Sequence, residues 1–316
     1  MILVTGGAGF IGSNLLRALN ARGEDRILVV DRLGEDEKFR NLVGARIAEY
    51  FDKEDFAEIL RRRDPILDRV EAVLHQGACS STTVRDGRYM LRNNQRASKD
   101  LLDFTRERGV PLIYASSAAV YGAGQRFMEE PSCEAPLNVY GYSKLLFDEQ
   151  VRRLAPGGPQ VVGLRYFNVY GPREAHKGSM ASVAFHLRGQ LLRDGIVRLF
   201  EGRDGFGDGE QRRDFIHVDD VVATILWFLD HPERSGIFNV GTGEARPFND
   251  VARAVLAHYG RGSLRYVPFP EVLMGKYQSH TCADLARLRA AGCDVAFRPV
   301  ARGVMDTMAW LDGGGT

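Results

Sequence analysis

An α/β fold, built as a doubly wound parallel sheet with a smaller discontinuous C-terminal lobe, is predicted by three observations. A short apolar strand at Ile2–Val4 runs into a glycine-rich turn and then a helical pattern. Further apolar runs of strand length alternate with helical stretches along the chain, which is the pattern of strands joined by helical crossovers. Tyr140 and Lys144, at i and i+4, share one face at the start of a predicted helix. The expected organisation is a Rossmann-type domain over 1–167 plus about 214–243, with the second lobe over about 168–213 plus 244–316.

The elements follow in order. Gly6-Gly7-Ala8-Gly9-Phe10-Ile11-Gly12 fits Gly-x-Gly-x-x-Gly from Gly7 and Gly-x-x-Gly-x-x-Gly from Gly6, and the helix it opens runs to about Ala21. Such glycines permit a tight bend and close approach of the backbone to a pyrophosphate, which sits at the positive helix end. Ile27–Val30 is a second strand ending on Asp31, at the spacing of a ribose-binding acid. A third strand, Val70–Gln76, ends at Gly77, Ala78, Cys79 and Ser80, small residues that suit a cofactor passing close by. His75 within it reads as a core histidine. Tyr89–Arg108 is helical, contains Asn93-Asn94, and is ended by Gly109. Leu112–Ala115 is a fourth strand leading to Ser116-Ser117, and Val161–Arg165 a fifth. Ser182–Arg193 reads as a helix, 203–211 as a flexible glycine-rich loop, and Asp219 as the N-cap of a helix over Val221–Leu229. Ile237–Val240 returns a strand to the sheet, and helices follow near Asp250–Tyr259, Asp284–Ala291 and Val300–Leu311.

Composition narrows the function class. With 42 Lys plus Arg against 41 Asp plus Glu, no global field draws nucleic acid or an anionic membrane. The N-terminal apolar run is too short for a signal peptide, and no run approaches membrane-spanning length, so a cytoplasmic protein is expected. The four cysteines lack ligand-like spacing, which fits reduced thiols and no metal site.

The chemistry centres on Tyr140. A phenol starts near pKa ~10, and bringing it near neutrality needs about 4 kcal/mol of differential stabilisation. A cation at about 4 Å supplies that order, so Lys144 is expected to lower Tyr140 and make it a base for a sugar hydroxyl. Ser117, just past a strand end, could share the proton. A Tyr-x-x-x-Lys spacing alone also marks an ordinary exposed helix face. Asp31 suits the ribose hydroxyls of NAD, whereas Arg32, Lys38 and Lys53 could pair with a 2′-phosphate, and NADP is the preferred reading.

These motifs in this order resemble the extended short-chain dehydrogenase/reductase superfamily of nucleotide-sugar enzymes. Within it, His75–Thr83, Pro136–Lys144, Arg165–Glu174, His176–Ser182, Phe200-Glu201-Gly202 and Gly275–Gln278 resemble the ADP-L-glycero-D-manno-heptose 6-epimerase family over nearly the whole chain. The resemblance implies an isomerase using tightly bound NADP, with transient oxidation of carbon 6 to an aldehyde and return of the same hydride. It implies Tyr140 and Lys177 as the two proton carriers, Lys144 on the ribose, and Ser117 completing the hydrogen-bond set. Gly6, Gly9, Phe10, Ile11, Gly12, Gln76, Gly77, Ala78, Cys79, Ser80, Asn93, Lys144 and Lys177 become the cofactor's neighbours. Asn168, Ser179, His186, Phe200, Glu201, Gly202, Arg203, Arg213 and Tyr277 become the substrate's, with Arg213 on the diphosphate. A homopentamer and a role in supplying heptose for the lipopolysaccharide inner core are further implications. Loop 203–211 is longer than the family's connection. Two other readings stand beside this one: another nucleotide-sugar 4-epimerase or 4,6-dehydratase, and a catalytically silent NADP sensor. Ala118-Ala119 after Ser117 argues against elimination, and intact Tyr140 and Lys144 argue against silence.

Overall fold

The structure, a computed structural model, describes residues 1–34, 37–271 and 278–314. β1 (Ile2–Thr5) runs through the glycine turn into α1 (Phe10–Ala21). β2 (Ile27–Asp31), β3 (Glu49–Asp52) and α2 (Lys53–Arg62) follow. β4 (Ala72–His75) leads to α3 (Gly87–Leu91), a π-helical turn at Arg92–Arg96, and α4 (Ala97–Arg108), which Gly109 closes at φ 71. β5 (Leu112–Ser117), α5 (Val139–Arg152) and β6 (Val161–Tyr166) come next. Then follow β7 (Asn168–Tyr170), α6 (Val183–Asp194), β8 (Ile196–Phe200), β9 (Arg212–His217) and α7 (Val218–Asp230). The chain ends through β10 (Gly236–Val240), β11 (Ala245–Pro247), α8 (Phe248–Tyr259), β12 (Ser263–Val267), α9 (Ala286–Ala290) and α10 (Val300–Asp312).

The central sheet is the parallel, Rossmann-like sheet the sequence predicts, with seven strands in the order β10-β6-β5-β4-β1-β2-β3. β2 and β6 are buried at every residue, as strands covered on both faces must be, and both are rich in Val, Ile and Leu. The strand order reverses between β1 and β4, which pair in parallel through Ile2↔Ala72 to Thr5↔His75. Such a reversal leaves a crevice at the strands' carboxyl ends, and the glycine turn and Gln76–Ser80 both emerge there. Leu3, Leu28, Val73, Leu102, Leu112 and Phe147 form the core of this layer.

The chain divides into two compact units. The first comprises Met1–Val120, Pro136–Arg165 and Val222–Phe238, and the second Tyr121–Ala135, Tyr166–Val221 and Asn239–Thr316. The second has its own core of Leu187, Val197, Phe215, Val251, Val255 and Val304. It holds a three-stranded sheet, β11-β9-β7, and a parallel pair, β12-β8. The boundary therefore differs from the expected one at 121–135, 166–167, 214–221 and 239–243. β9 pairs with β7 in parallel and β11 in antiparallel sense and so belongs with them.

Two local expectations are corrected. Asp219 is no N-cap, because α7 already begins at Val218; Asp219 lies in the first turn, where its carboxylate meets Arg298 at 3.2 Å. Loop 203–211 is tied down by hydrogen bonds. Gly202 N–H donates to the Asp208 carboxylate at 2.7 Å, Asn249 donates to the Asp208 carbonyl at 2.9 Å, and buried Gln211 donates to the Glu201 carbonyl at 3.0 Å. His75 is a core residue as expected, held between Thr5 at 2.5 Å and Ser98 at 2.8 Å.

Candidate active site

At the carboxyl end of β1 the chain turns at Gly6, whose φ of +70 favours glycine, and Gly9 N–H donates to the Gly6 carbonyl at 3.0 Å. Gly12 lets α1 close on this turn: a Cβ there would lie 2.0 Å from the Gly6 oxygen and 2.9 Å from the Gly7 Cα. α1 starts at Phe10 with Gly9 as N-cap, without a side-chain cap and without an acid in its first turn. Its positive end thus carries no carboxylate of its own and suits a pyrophosphate, which is how the residues present fit a dinucleotide. Gly12→Ala is expected to lower nucleotide affinity at least about tenfold and to destabilise the fold by about 1–3 kcal/mol, since only backbone could give way. Fluorescence titration with the nucleotide and a thermal melt check it, and unchanged affinity would take the pyrophosphate away from this turn.

Asp31 ends β2 and is buried. Its carboxylate accepts from Ala8 N–H at 2.9 Å, Arg32 N–H at 2.7 Å and the Lys38 ammonium at 2.5 Å. Lys38 therefore neutralises Asp31. Arg32 is exposed beside it, and Lys53 donates to Asn93 at 2.6 Å, joining two residues that the sequence assigns to the cofactor. Nearby Tyr50 is pushed up to about 12 by burial and by the Asp31 and Asp52 charges.

After β4, Gln76 and Gly77 are fastened to Thr5, the first to its carbonyl at 3.0 Å and the second to its hydroxyl at 3.1 Å. Ala78 and Ser80 are exposed, while Cys79 is half-buried. Asn94, in the π-helical turn, clamps this segment: it accepts from Cys79 N–H at 2.8 Å and donates to the Cys79 carbonyl at 3.0 Å and to Ser143 at 2.9 Å. Sequence reasoning assigned the neighbouring Asn93 and missed Asn94, whose signal was only a polar residue on an apolar helix stripe. A π-helical turn often marks a functional site, and this one aims Asn94 at α5.

α5 carries Tyr140 and Lys144. Asn138 caps it, its side chain accepting from Gly141 N–H at 2.8 Å. Gly141 lets the first turn meet the segment after β5, where a Cβ would lie 2.6 Å from the Ala119 carbonyl oxygen. The Tyr140 hydroxyl is hydrogen-bonded to the Ser117 side chain, which itself accepts from Ala119 N–H at 3.1 Å. Burial pushes the Tyr140 phenol above its ordinary value, and the Ser117 hydrogen bond opposes this. The phenol is therefore raised rather than lowered as expected, and the group that opposes the rise is Ser117 rather than Lys144. The Lys144 ammonium donates to the Ala115 carbonyl at 2.8 Å, and burial holds it down to about 8.

Beneath this pair lies a polar cluster that the sequence did not reveal. Asp148, one turn beyond Lys144, accepts from Tyr114, Ser116 and the Arg165 Nε, each at 2.9 Å. It ties α5 to β5 and β6.

The second unit holds the residues assigned to substrate. Asn168 opens β7, is exposed, and accepts from Thr281 at 3.4 Å. Lys177 is half-buried in the short turn Ala175–Met180, 3.9 Å from the Glu174 carboxylate; burial pushes its pKa down and Glu174 pulls it up. Ser179 is exposed in the same turn, and His186 lies half-buried on α6. Phe200 ends β8 with its ring 5.3 Å from that of Phe269, over which Arg203 also lies, at 5.0 Å. Glu201 and Gly202 follow, both exposed. Arg213 on β9 is buried, donates to the Arg212 carbonyl at 3.0 Å and lies 5.7 Å from the Phe248 ring. Tyr277 lies outside the described residues.

Comparison with known proteins adds to this geometry. Residues 2–241 match the NAD dependent epimerase/dehydratase family. The chain is 59% identical over 305 residues to the ADP-L-glycero-D-manno-heptose-6-epimerase of Alkalilimnicola ehrlichii, covering 96% of this chain and 95% of that one. It is similar to the crystal structure of the Helicobacter pylori ADP-L-glycero-D-manno-heptose-6-epimerase at 32% identity and a TM-score of 0.85, over 98% and 96% of the two chains. The Thermus thermophilus UDP-glucose 4-epimerase in complex with NAD matches at 29% identity and a TM-score of 0.78, over 99% of each chain.

Proposed function

Because the chain belongs to the NAD dependent epimerase/dehydratase family, we propose that it converts ADP-D-glycero-D-manno-heptose to its L-glycero epimer at carbon 6, supplying heptose for the lipopolysaccharide inner core. The observation that carries this reading is 59% identity over 96% of the chain to a heptose epimerase, combined with an intact Ser117–Tyr140 hydrogen bond and Lys144 on the same helix.

Carbon 6 is a carbinol centre without an adjacent carbonyl, so its C–H is not acidic and deprotonation cannot invert it. Oxidation to the 6-aldehyde makes the centre planar, and rotation about the C5–C6 bond exposes the other face. A bound nicotinamide supplies hydride acceptance and return at that carbon. The protein's part is proton transfer and orientation. Tyr140 takes the hydroxyl proton of one epimer, with Ser117 holding the phenol oxygen in line. Lys177 serves the other epimer; burial, which favours its neutral amine, supports that role. Lys144 holds the ribose, and Arg213 pairs with the diphosphate.

We read the cofactor as NADP rather than NAD. Lys38 neutralises the Asp31 carboxylate, which would otherwise repel a 2′-phosphate, and exposed Arg32 stands next in the chain. Lys53, paired with Asn93, is a lesser contributor. NADP should outcompete NAD, and Arg32→Ala should weaken NADP about tenfold while changing NAD by less than about twofold, the loss of one charge-assisted hydrogen bond. Calorimetric titration of both nucleotides checks this, and equal affinities in the parent protein would return Arg32 and Lys38 to loop charge. No helix among the described residues is long and apolar enough to cross a membrane. We read the protein as a cytoplasmic homopentamer, which sedimentation velocity checks.

The function is tested by giving the purified protein ADP-D-glycero-D-manno-heptose in deuterated water and following carbon 6 by proton NMR. Conversion without deuterium at carbon 6 is the expected result. Absence of conversion with both nucleotides supplied would overturn the heptose assignment.

A further inference from the structure

Glu174 is 1% exposed, and the chain folds around its carboxylate. One oxygen accepts from Ser182 N–H at 2.5 Å; the other accepts from the Ser182 hydroxyl at 2.6 Å and from Gly171 N–H at 3.3 Å. Its own carbonyl accepts from Lys177 N–H at 3.0 Å, and its Oε2 lies 3.9 Å from the Lys177 ammonium. Gly171, Arg173 and Gly178, at φ 144, 69 and 53, bend the backbone on either side. Arg173 is a non-glycine residue in that region, so contacts elsewhere hold the turn. Ser182 is also the N-cap of α6, its hydroxyl accepting from Phe185 N–H at 3.3 Å.

We propose that Glu174 is a positioning residue for Lys177: its buried carboxylate fixes the turn that presents Lys177 and is the charge partner of its ammonium. The proposal rests on reading Lys177 as the second proton carrier. A residue built only to close the turn needs no charge. Here three donors converge on the two carboxylate oxygens, so an amide in their place would set its own N–H₂ against a donor. Burial pushes Glu174 up and Lys177 down, and each opposes the other's shift. Without the carboxylate, the charge that opposes burial at Lys177 is lost.

The test uses the full chain with its nucleotide. Competitive acetylation with acetic anhydride across pH, read on the Lys177 peptide by mass spectrometry, reports the Lys177 midpoint independently of turnover. In Glu174→Gln the midpoint should fall by about one pH unit. The kcat for carbon 6 inversion should drop about tenfold, with KM within about twofold. Glu174→Asp, which keeps the charge on a shorter stem, should keep the midpoint near the parent's while kcat falls. Where the Gln variant does not accumulate, Glu174→Ala takes its place in both comparisons. A parental midpoint in Glu174→Gln, or a Glu174→Asp midpoint displaced as far as that of the Gln variant, would overturn the proposal. Lys177→Met separates the two ideas. An inactive Lys177→Met with an unmoved midpoint in Glu174→Gln fails the Glu174 inference alone, whereas a fully active Lys177→Met fails the proton-carrier reading on which it rests.

Discussion

Tyr140→Phe is expected to lower carbon 6 inversion by about two orders of magnitude or more while leaving the nucleotide bound and the fold intact. The substitution removes one oxygen. Phe keeps the ring, and α5 keeps what forms it: the Asn138 cap, the Gly141 approach to Ala119, and the buried face of Phe147 and Val151. What is lost is the only hydroxyl on this helix that is bonded to Ser117 in the described structure. Because burial holds the phenol above its ordinary value, the base role proposed for Tyr140 requires that groups around it stabilise the ionised form. Each pKa unit recovered is worth about 1.4 kcal/mol. Ser117, whose hydrogen bond already lowers the phenol, is the group placed to supply part of that. The measurement is the NMR rate at carbon 6 with nucleotide content read by absorbance. Near-parental turnover with nucleotide retained would remove Tyr140 from its role and leave Lys177 to carry both transfers.

What the sequence disclosed follows from the range of the interactions concerned. The β1 turn, α1 and β2 were legible because strand, glycine bend, helix and terminal Asp31 are all local signals within the first thirty-one residues. The same is true of α5, where the cap and the Tyr140, Lys144 face lie within one short run. β8 and β12 were not foreseen, since each is short and neither is a strand without the other; their register joins Ile196 to Ser263. The π-helical turn at Arg92–Arg96 was hidden inside an ordinary helical pattern, because what holds it is tertiary: Asn94 meets Cys79 and Ser143. Lys38 and Lys53 read as phosphate partners, and the contacts the fold itself gives them, Asp31 and Asn93, could not be read from the sequence because each pairing joins separate elements. Asp148 drew no notice in the sequence, because what makes it a buried centre is partners on other elements, Tyr114 and Ser116 on β5 and Arg165 on β6.

Asp148→Ala should be among the most destabilising single changes in the molecule, costing about 3–5 kcal/mol. Asp148 and Arg165 are both 0% exposed, and the guanidinium meets the carboxylate through Nε and Nη2 at 2.9 Å. Deleting the carboxylate takes the Asp148 partner from a buried guanidinium that stays charged. It also leaves the Tyr114 and Ser116 hydroxyls, each bonded to Asp148 at 2.9 Å, without that acceptor. For a chain of this size the thermal midpoint should fall by roughly 2–4 °C per kcal/mol. Taking out both charges at once is the discriminating arm. Asp148→Leu with Arg165→Met removes both members of the ion pair, so it should recover much of the loss even though the pair is gone. A double variant as unstable as Asp148→Ala would mean that the pair contributes through packing rather than charge. The same comparison bears on catalysis. Ser116 and Ser117 are adjacent on β5, and Asp148 follows Lys144 by one turn of α5, so this cluster sets how the strand carrying Ser117 meets the helix carrying Tyr140. If it acts as a registration device, the double variant regains its thermal midpoint while its turnover stays low. Recovery of both would make Asp148 a structural ion pair with no hold on the Ser117–Tyr140 hydrogen bond.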